Sequence, residues 1–252
     1  MSVCLLLACS LLSPGSGPAV EPDAVGDWPT FLGPSGDGIA AAKTLKTAVP
    51  DAASVLAWTE EIGEGYSAPV VVTLKGSDEE EPRRVLFSHR REGRQETLTR
   101  RDLATGKTEW TVAAPTAFRD PYGYNGGPRA SPLAVPNAAG DGGFVYTLGA
   151  AGRASCVDIK TGEERWSRDF NAELNIPRWF FGVGGSPVLF EPQTTANPRG
   201  EPLVIFAPGG QPNAGVVAVK PDTGETVWEA VGCESTRRLR NKSVNVCNSE
   251  TL

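Results

Sequence analysis

The chain has 252 residues, 40% of them hydrophobic, with 29 glycines, 21 prolines and a net charge of −6. So much turn-forming residue in a non-collagenous chain argues for many short strands rather than long helices, and the acidic balance gives nucleic-acid binding no electrostatic support. A single histidine, His89, leaves little room for histidine-based metal or acid–base chemistry, and the five cysteines form no C-x-x-C pair and are too odd in number for a complete internal disulfide set.

Residues 1–24 open with the apolar run MSVCLLLACSLL and continue rich in Ser, Pro, Gly and Ala. This reads as a secretory leader without the usual basic start. Leu6-Leu7-Ala8-Cys9 resembles a lipobox, which makes Cys9 the candidate for lipidation. No other stretch approaches the roughly 20 apolar residues of a membrane span. Residues 25–54 read as an irregular segment, and VLAWTEEIG (Val55 to Gly63) as a lone N-terminal strand whose three sheet partners are missing.

From residue 64 onward one pattern recurs three times, in units 64–114, 127–171 and 184–232. Each unit begins with a small residue and proline after a glycine-rich approach: GYSAPVVV, GPRASPLAV and GGSPVLF. Two further apolar runs follow, and then a Thr-Gly phrase ahead of a tryptophan: DLATGKTEW, DIKTGEERW and KPDTGETVW. Gly106, Gly162 and Gly224 recur at steps of 56 and 62 residues, a period that signals a repeated supersecondary unit. Four short Val-, Ile-, Phe- and Thr-rich runs per unit, here lettered A to D, are too short for helices and predict an up-and-down antiparallel sheet. Such a sheet repeated radially is a propeller blade. The fold class is therefore all-β, a partial β-propeller of about three four-stranded blades plus an N-terminal strand.

The Thr-Gly phrase falls on the C–D hairpin. Asp102 and Asp158 can accept backbone N–H bonds within the turn, and Trp110, Trp166 and Trp228 can wedge against the neighbouring blade. Lys220 stands where the third unit should have aspartate, so that hairpin must be held differently. Cys156 lies in an alternating apolar strand and reads as a small buried hydrophobe. Residues 233–252, with Arg237, Arg238, Arg240 and Lys242, leave the repeat pattern and read as a disordered basic tail.

The D-x-x-T-G-x-x-x-W phrase resembles the repeat of pyrroloquinoline-quinone-type β-propellers. That superfamily includes quinoprotein alcohol dehydrogenases and the outer-membrane-assembly propeller lipoprotein of Gram-negative bacteria. The opening DWPTFLGPSGDGIA (Asp27 to Ala40) is similar to the segment before the first blade in secreted bacterial members. The resemblance covers roughly residues 27–232 and implies a periplasmic or extracellular protein. Members commonly have seven or eight blades, so three units imply a truncated member.

In a propeller the D–A connections and B–C loops share one face, where ligands tend to bind. The candidate binding residues on that face are Tyr122, Tyr124, Asn125, Arg129, Arg153, Arg178 and Trp179, residue types common at interface hot spots. The competing reading is that the aromatics pack their loops and the arginines are solvated. Function divides accordingly. A non-catalytic scaffold for a protein or glycan partner, set in envelope assembly by analogy, needs no cofactor, metal or catalytic residue. A fragment of a quinone-dependent dehydrogenase needs pyrroloquinoline quinone with calcium, for which Asp120, Asn125 and Glu64 are the available donors. The sequence has no G-x-S-x-G elbow, H-E-x-x-H pair or adjacent cysteines.

Overall fold

The computed structural model describes residues 26–40, 56–75, 81–177, 181–191, 200–212 and 214–230, and the backbone of Cys233–Leu239 and Lys242–Cys247. The leader with Cys9, most of the irregular segment, Arg178 and Trp179 lie outside the described residues.

Each sequence unit becomes one antiparallel sheet with its strands in chain order. The first contains β1 (Val70–Leu74), β2 (Arg83–Glu92), β3 (Gln95–Asp102) and β4 (Thr108–Pro115). The second contains β5 (Leu133–Pro136), β6 (Gly143–Leu148), β7 (Arg153–Asp158) and β8 (Glu164–Asp169). The third contains β9 (Val188–Phe190), β10 (Leu203–Phe206), β11 (Val216–Val219) and β12 (Thr226–Ala230). A four-residue helix α1 (Phe170–Glu173) follows β8, capped by the Asp169 carboxylate on the Ala172 N–H. The chain is thus all-β in its sheets, three blades of a partial propeller.

Register explains how the blades stack. Leu133, Tyr146, Cys156 and Trp166 are cross-strand neighbours, so their side chains share one face of the second blade. That face is buried in one cluster with Val204, Phe206, Val217 and Val219 of the third. On the first blade Val70, Val72, Val85, Phe87 and Leu98 are buried with Ala134, Val145, Val157 and Ile159 of the second.

The Thr-Gly hairpins form the outer corners. The N–H of Gly106, Gly162 and Gly224 donates to the carbonyl of Asp102, Asp158 and Lys220, respectively. These glycines have φ of 73°, 74° and 70°, the left-handed region that L side chains avoid. They also leave room for an indole: a Cβ on them would lie 2.6 Å from Trp58, 2.9 Å from Trp110 and 2.7 Å from Trp166. Each of those indoles donates its Nε1–H three residues upstream of the glycine it covers, to Leu103 O (2.8 Å), Ile159 O (3.1 Å) and Pro221 O (2.8 Å).

A shift in register recurs opposite each hairpin tryptophan, after Arg100, Cys156 and Ala218. The Asp102 carboxylate accepts the Thr105 N–H and hydroxyl, and Asp158 accepts from Lys160 N, Thr161 N and the Thr161 hydroxyl. The third hairpin keeps the backbone bonds and replaces this cap with a Lys220 Nζ–Glu225 Oε2 ion pair at 2.5 Å.

The small-residue-plus-proline motif pins the inner ends. Ser131 Oγ accepts the Ala68 N–H and Ser186 Oγ accepts the Ser131 N–H, each at 2.9 Å, joining blade to blade. The N-terminal segment adds a clip. Trp28 exchanges backbone bonds with Val71, and Pro29 O accepts the Ala134 N–H, so one short stretch ties β1 to β5.

Two expectations change. Residues 56–63 form no strand, although Glu64 bridges Arg91. The first sheet already has four strands, and this stretch docks through Trp58 on the first corner, where the outer strand of a preceding blade would sit. The basic tail, expected to be disordered, has Cys233–Leu239 paired with Lys242–Cys247 as a separate two-stranded ribbon.

Candidate functional site

The face carrying the D–A connections and B–C turns is built on rigid anchors. In the first connection, the Asp120 carboxylate accepts the N–H groups of Tyr122 and Asn125, both at 2.9 Å. These bonds, Asn125 first, hold its carboxyl below the usual carboxylate range. Asn125 turns back to accept the Gly127 N–H. Glu64 reaches across from the segment before β1 to accept the Gly126 N–H. Arg129 lies over the rings of Phe118 (4.7 Å) and Tyr66 (5.6 Å) and donates to the carbonyls of Gly127 and Asn125. Arg91 Nη1 donates to Phe118 O at 2.8 Å and Gly126 O at 3.1 Å.

The candidate residues therefore separate by role. Asn125 and Arg129 hold the connection together from inside and offer little to a ligand. Arg153 is spent on Glu164, with both carboxylate oxygens within 2.9 Å. Tyr122 and Tyr124 project from the same loop, 60% and 68% exposed, with rings stacked at 6.4 Å.

Between the two D–A connections runs a groove of about 680 Å³. One wall is Ala117–Arg119 with Pro121 and Tyr122, the other Ile176, Pro177, Gly182 and Val183, and Ala150 and Ala151 of the second B–C turn line it between them. Val183 N–H donates to Ala150 O at 2.9 Å, fixing the far wall to the turn. A neighbouring cleft formed by Glu92, Arg94, Gln95, Pro115 and Thr116 meets this groove at Ala117. Sequence reasoning missed these residues because alanines and prolines carry no chemical signal. Arg119 could have been found, since it sits in the loop already singled out.

A second polar cluster lies between the first and second blades. His89 and Glu96 are buried, with Nε2 and Oε2 3.7 Å apart, beside Thr147, Ser155, Arg153 and Glu164 around a cavity of about 20 Å³. Burial, then the nearby Arg90 and Arg153, lowers His89 to about 3, so the imidazole is neutral. Burial raises Glu96, although its carboxylate accepts the Ala150 N–H. Cys156 is fully buried and burial pushes its thiol up to about 12, which leaves it unreactive.

Among the described residues no three metal-ligating side chains converge. Asp120, Asn125 and Glu64 direct oxygens at backbone N–H groups of the first D–A connection, so this donor set does not fit a calcium-held quinone. No helix of the described residues is long and apolar enough to cross a membrane.

The solved structures that the chain resembles include two dehydrogenases and an assembly factor. The quinohemoprotein alcohol dehydrogenase of Comamonas testosteroni is 19% identical, with a TM-score of 0.47 over 84% of this chain and 29% of its own. A europium-containing methanol dehydrogenase is 17% identical, with a TM-score of 0.43 over 72% and 27%. BamB from Moraxella catarrhalis is 17% identical, with a TM-score of 0.36 over 70% and 38%. The chain thus spans well under half the length of each. No curated protein matches it. The family described as outer membrane protein assembly factor BamB matches residues 94–251, more than half of the chain. By that match the chain belongs to the BamB-type family of pyrroloquinoline-quinone-like propeller repeats.

Proposed function

We propose that the chain is a non-catalytic, extracytoplasmic propeller scaffold that presents its D–A connection face to a protein partner, with envelope assembly as the setting suggested by its family. One observation carries this reading. Asp120, Asn125 and Glu64, the carboxylate and amide groups of the first connection, are bonded to its backbone, while Tyr122 and Tyr124 are exposed beside a groove. Aromatic anchors beside a preformed groove are what a protein interface uses. Periplasmic or extracellular placement, and lipid attachment through Cys9, belong to the same proposal.

A photoreactive residue at position 124 should capture protein adducts in an envelope extract, and one at Lys107, on a C–D turn, should not. Equal labelling at both positions would remove the assignment of this face. Co-elution of pyrroloquinoline quinone with the protein in the presence of calcium would overturn the non-catalytic reading in favour of the dehydrogenase fragment.

A further inference from the structure

We infer that the groove between the two D–A connections takes an extended peptide segment with apolar side chains and one carboxylate, which pairs with Arg119. The inference rests on the scaffold reading and narrows it to a class of partner. The described lining is mostly apolar, with Ala117, Phe118, Ala150, Ala151, Ile176 and Val183. Among the described lining residues only Arg119, Tyr122 and Asn171 carry a hydrogen-bonding side chain, which suits apolar peptide side chains better than the many hydroxyls of a sugar.

Charge supplies the second half of the argument. Arg119 is exposed in the groove wall and forms no ion pair with a described residue, whereas Arg129 and Arg153 are each committed to carboxylates. Arg94, likewise without an ion pair among the described residues, stands in the adjoining cleft, where Glu92 is the acidic residue of the described lining. The described lining of groove and cleft therefore carries two arginines against one glutamate on a molecule of net charge −6. An acidic segment is drawn to them and a basic one is not.

Among the described residues both walls have fixed points: Phe118 is held by Arg91 at its carbonyl and Arg129 over its ring, and Val183 is tied to Ala150.

The experiment pans a displayed random heptapeptide library, at low salt, against the full chain. It repeats the selection on Arg119→Glu and on Ala151→Trp, which fills the groove, after thermal melts show that both variants fold. The expected pool carries Asp or Glu flanked by apolar residues. Representative acidic peptides should bind Arg119→Glu at least fivefold more weakly, and their Lys counterparts should bind it more tightly than they bind the parent protein. No enrichment, or enrichment without acidic bias, overturns the inference. Acidic peptides that ignore Arg119→Glu but are lost with Ala151→Trp sink the charge pairing and leave the groove as an interaction face. Peptides indifferent to both variants sink the groove as well. Preferential binding of a chitotetraose probe over every selected peptide would reassign the groove to glycans.

Discussion

The two seams between blades do the same mechanical job with different chemistry. The seam from second to third blade is almost wholly apolar, with Tyr146, Trp166, Phe170 and Phe206 in successive tilted or edge-on ring contacts. The seam from first to second shares the corner indole and the serine bond, but it also buries His89 and Glu96 beside a small cavity. Repetition fixes where blades touch. What lies between the fixed points is free to vary, and with it the response to truncation and to pH.

Removing aromatic bulk from the apolar seam should have the largest effect. Trp166→Ala deletes the indole that covers Gly224, its bond to Pro221 O, and the edge of Phe206. Its expected cost is about 3 kcal/mol, the low end of the range for truncating a large aromatic because this ring is partly buried, read as the shift in a denaturant melt. A loss below about 1 kcal/mol would mean that the third blade does not depend on this corner.

The polar seam should be the acid-sensitive one. His89 binds no proton in the native state until pH falls to about 3, whereas in the unfolded chain it titrates near 6.5. Between those values the unfolded state holds more protons, so stability falls as pH falls. The contribution is about 3 kcal/mol at pH 4, at roughly 1.4 kcal/mol per pH unit below 6.5. Glu96 works against this. Its carboxyl is raised by burial, so its contribution is present at low pH and is lost as pH rises through the folded value. His89→Gln keeps a polar group of similar size and removes only the first effect. Its melting temperature should therefore depend less on pH between 4 and 6.5 than that of the parent. An unchanged slope would place the acid response elsewhere.

A corner glycine offers a test of intermediate size. Gly162→Ala meets both the left-handed backbone, which costs a residue with a Cβ about 1–2 kcal/mol, and the ring of Trp110 at 2.9 Å. The loss should be about 2–3 kcal/mol in the same melt. Gly93, with φ of 61° but nothing near its missing Cβ, is the control, and Gly93→Ala should cost only the backbone share.

These corners were legible in the sequence because their causes are local: a turn needs glycine, a cap needs aspartate or threonine, and an outer strand shows its tryptophan at fixed spacing. The lysine in the third hairpin could be flagged for the same reason, though its partner Glu225 could not be named. The binding face was less legible because its contacts are long-range. Arg129 and Arg119 lie in one loop and look alike in sequence. Only the fold shows that one is sandwiched between Phe118 and Tyr66, brought from 63 residues away, while the other faces a groove. The pairing of Glu96 with the turn at Gly149 and Ala150 is hidden for the same reason.

The smallest effect should come from the residue that looks most like the largest. Trp228 has the same place in its phrase as Trp166, starts the same strand, and faces Ala218 as Trp166 faces Cys156. Yet it is 40% exposed and Val188 at the other end of its row is 55% exposed, whereas Leu133, which matches Val188 in the second blade, is buried and Trp166 is partly buried. A motif residue stabilises through the surface it meets, and the hydrophobic contribution scales with the area removed from water. Trp228→Ala in this chain should therefore change stability by no more than about 1 kcal/mol, while indole fluorescence loses a solvent-quenched component. A loss as large as that of Trp166→Ala would mean that this face is covered in solution.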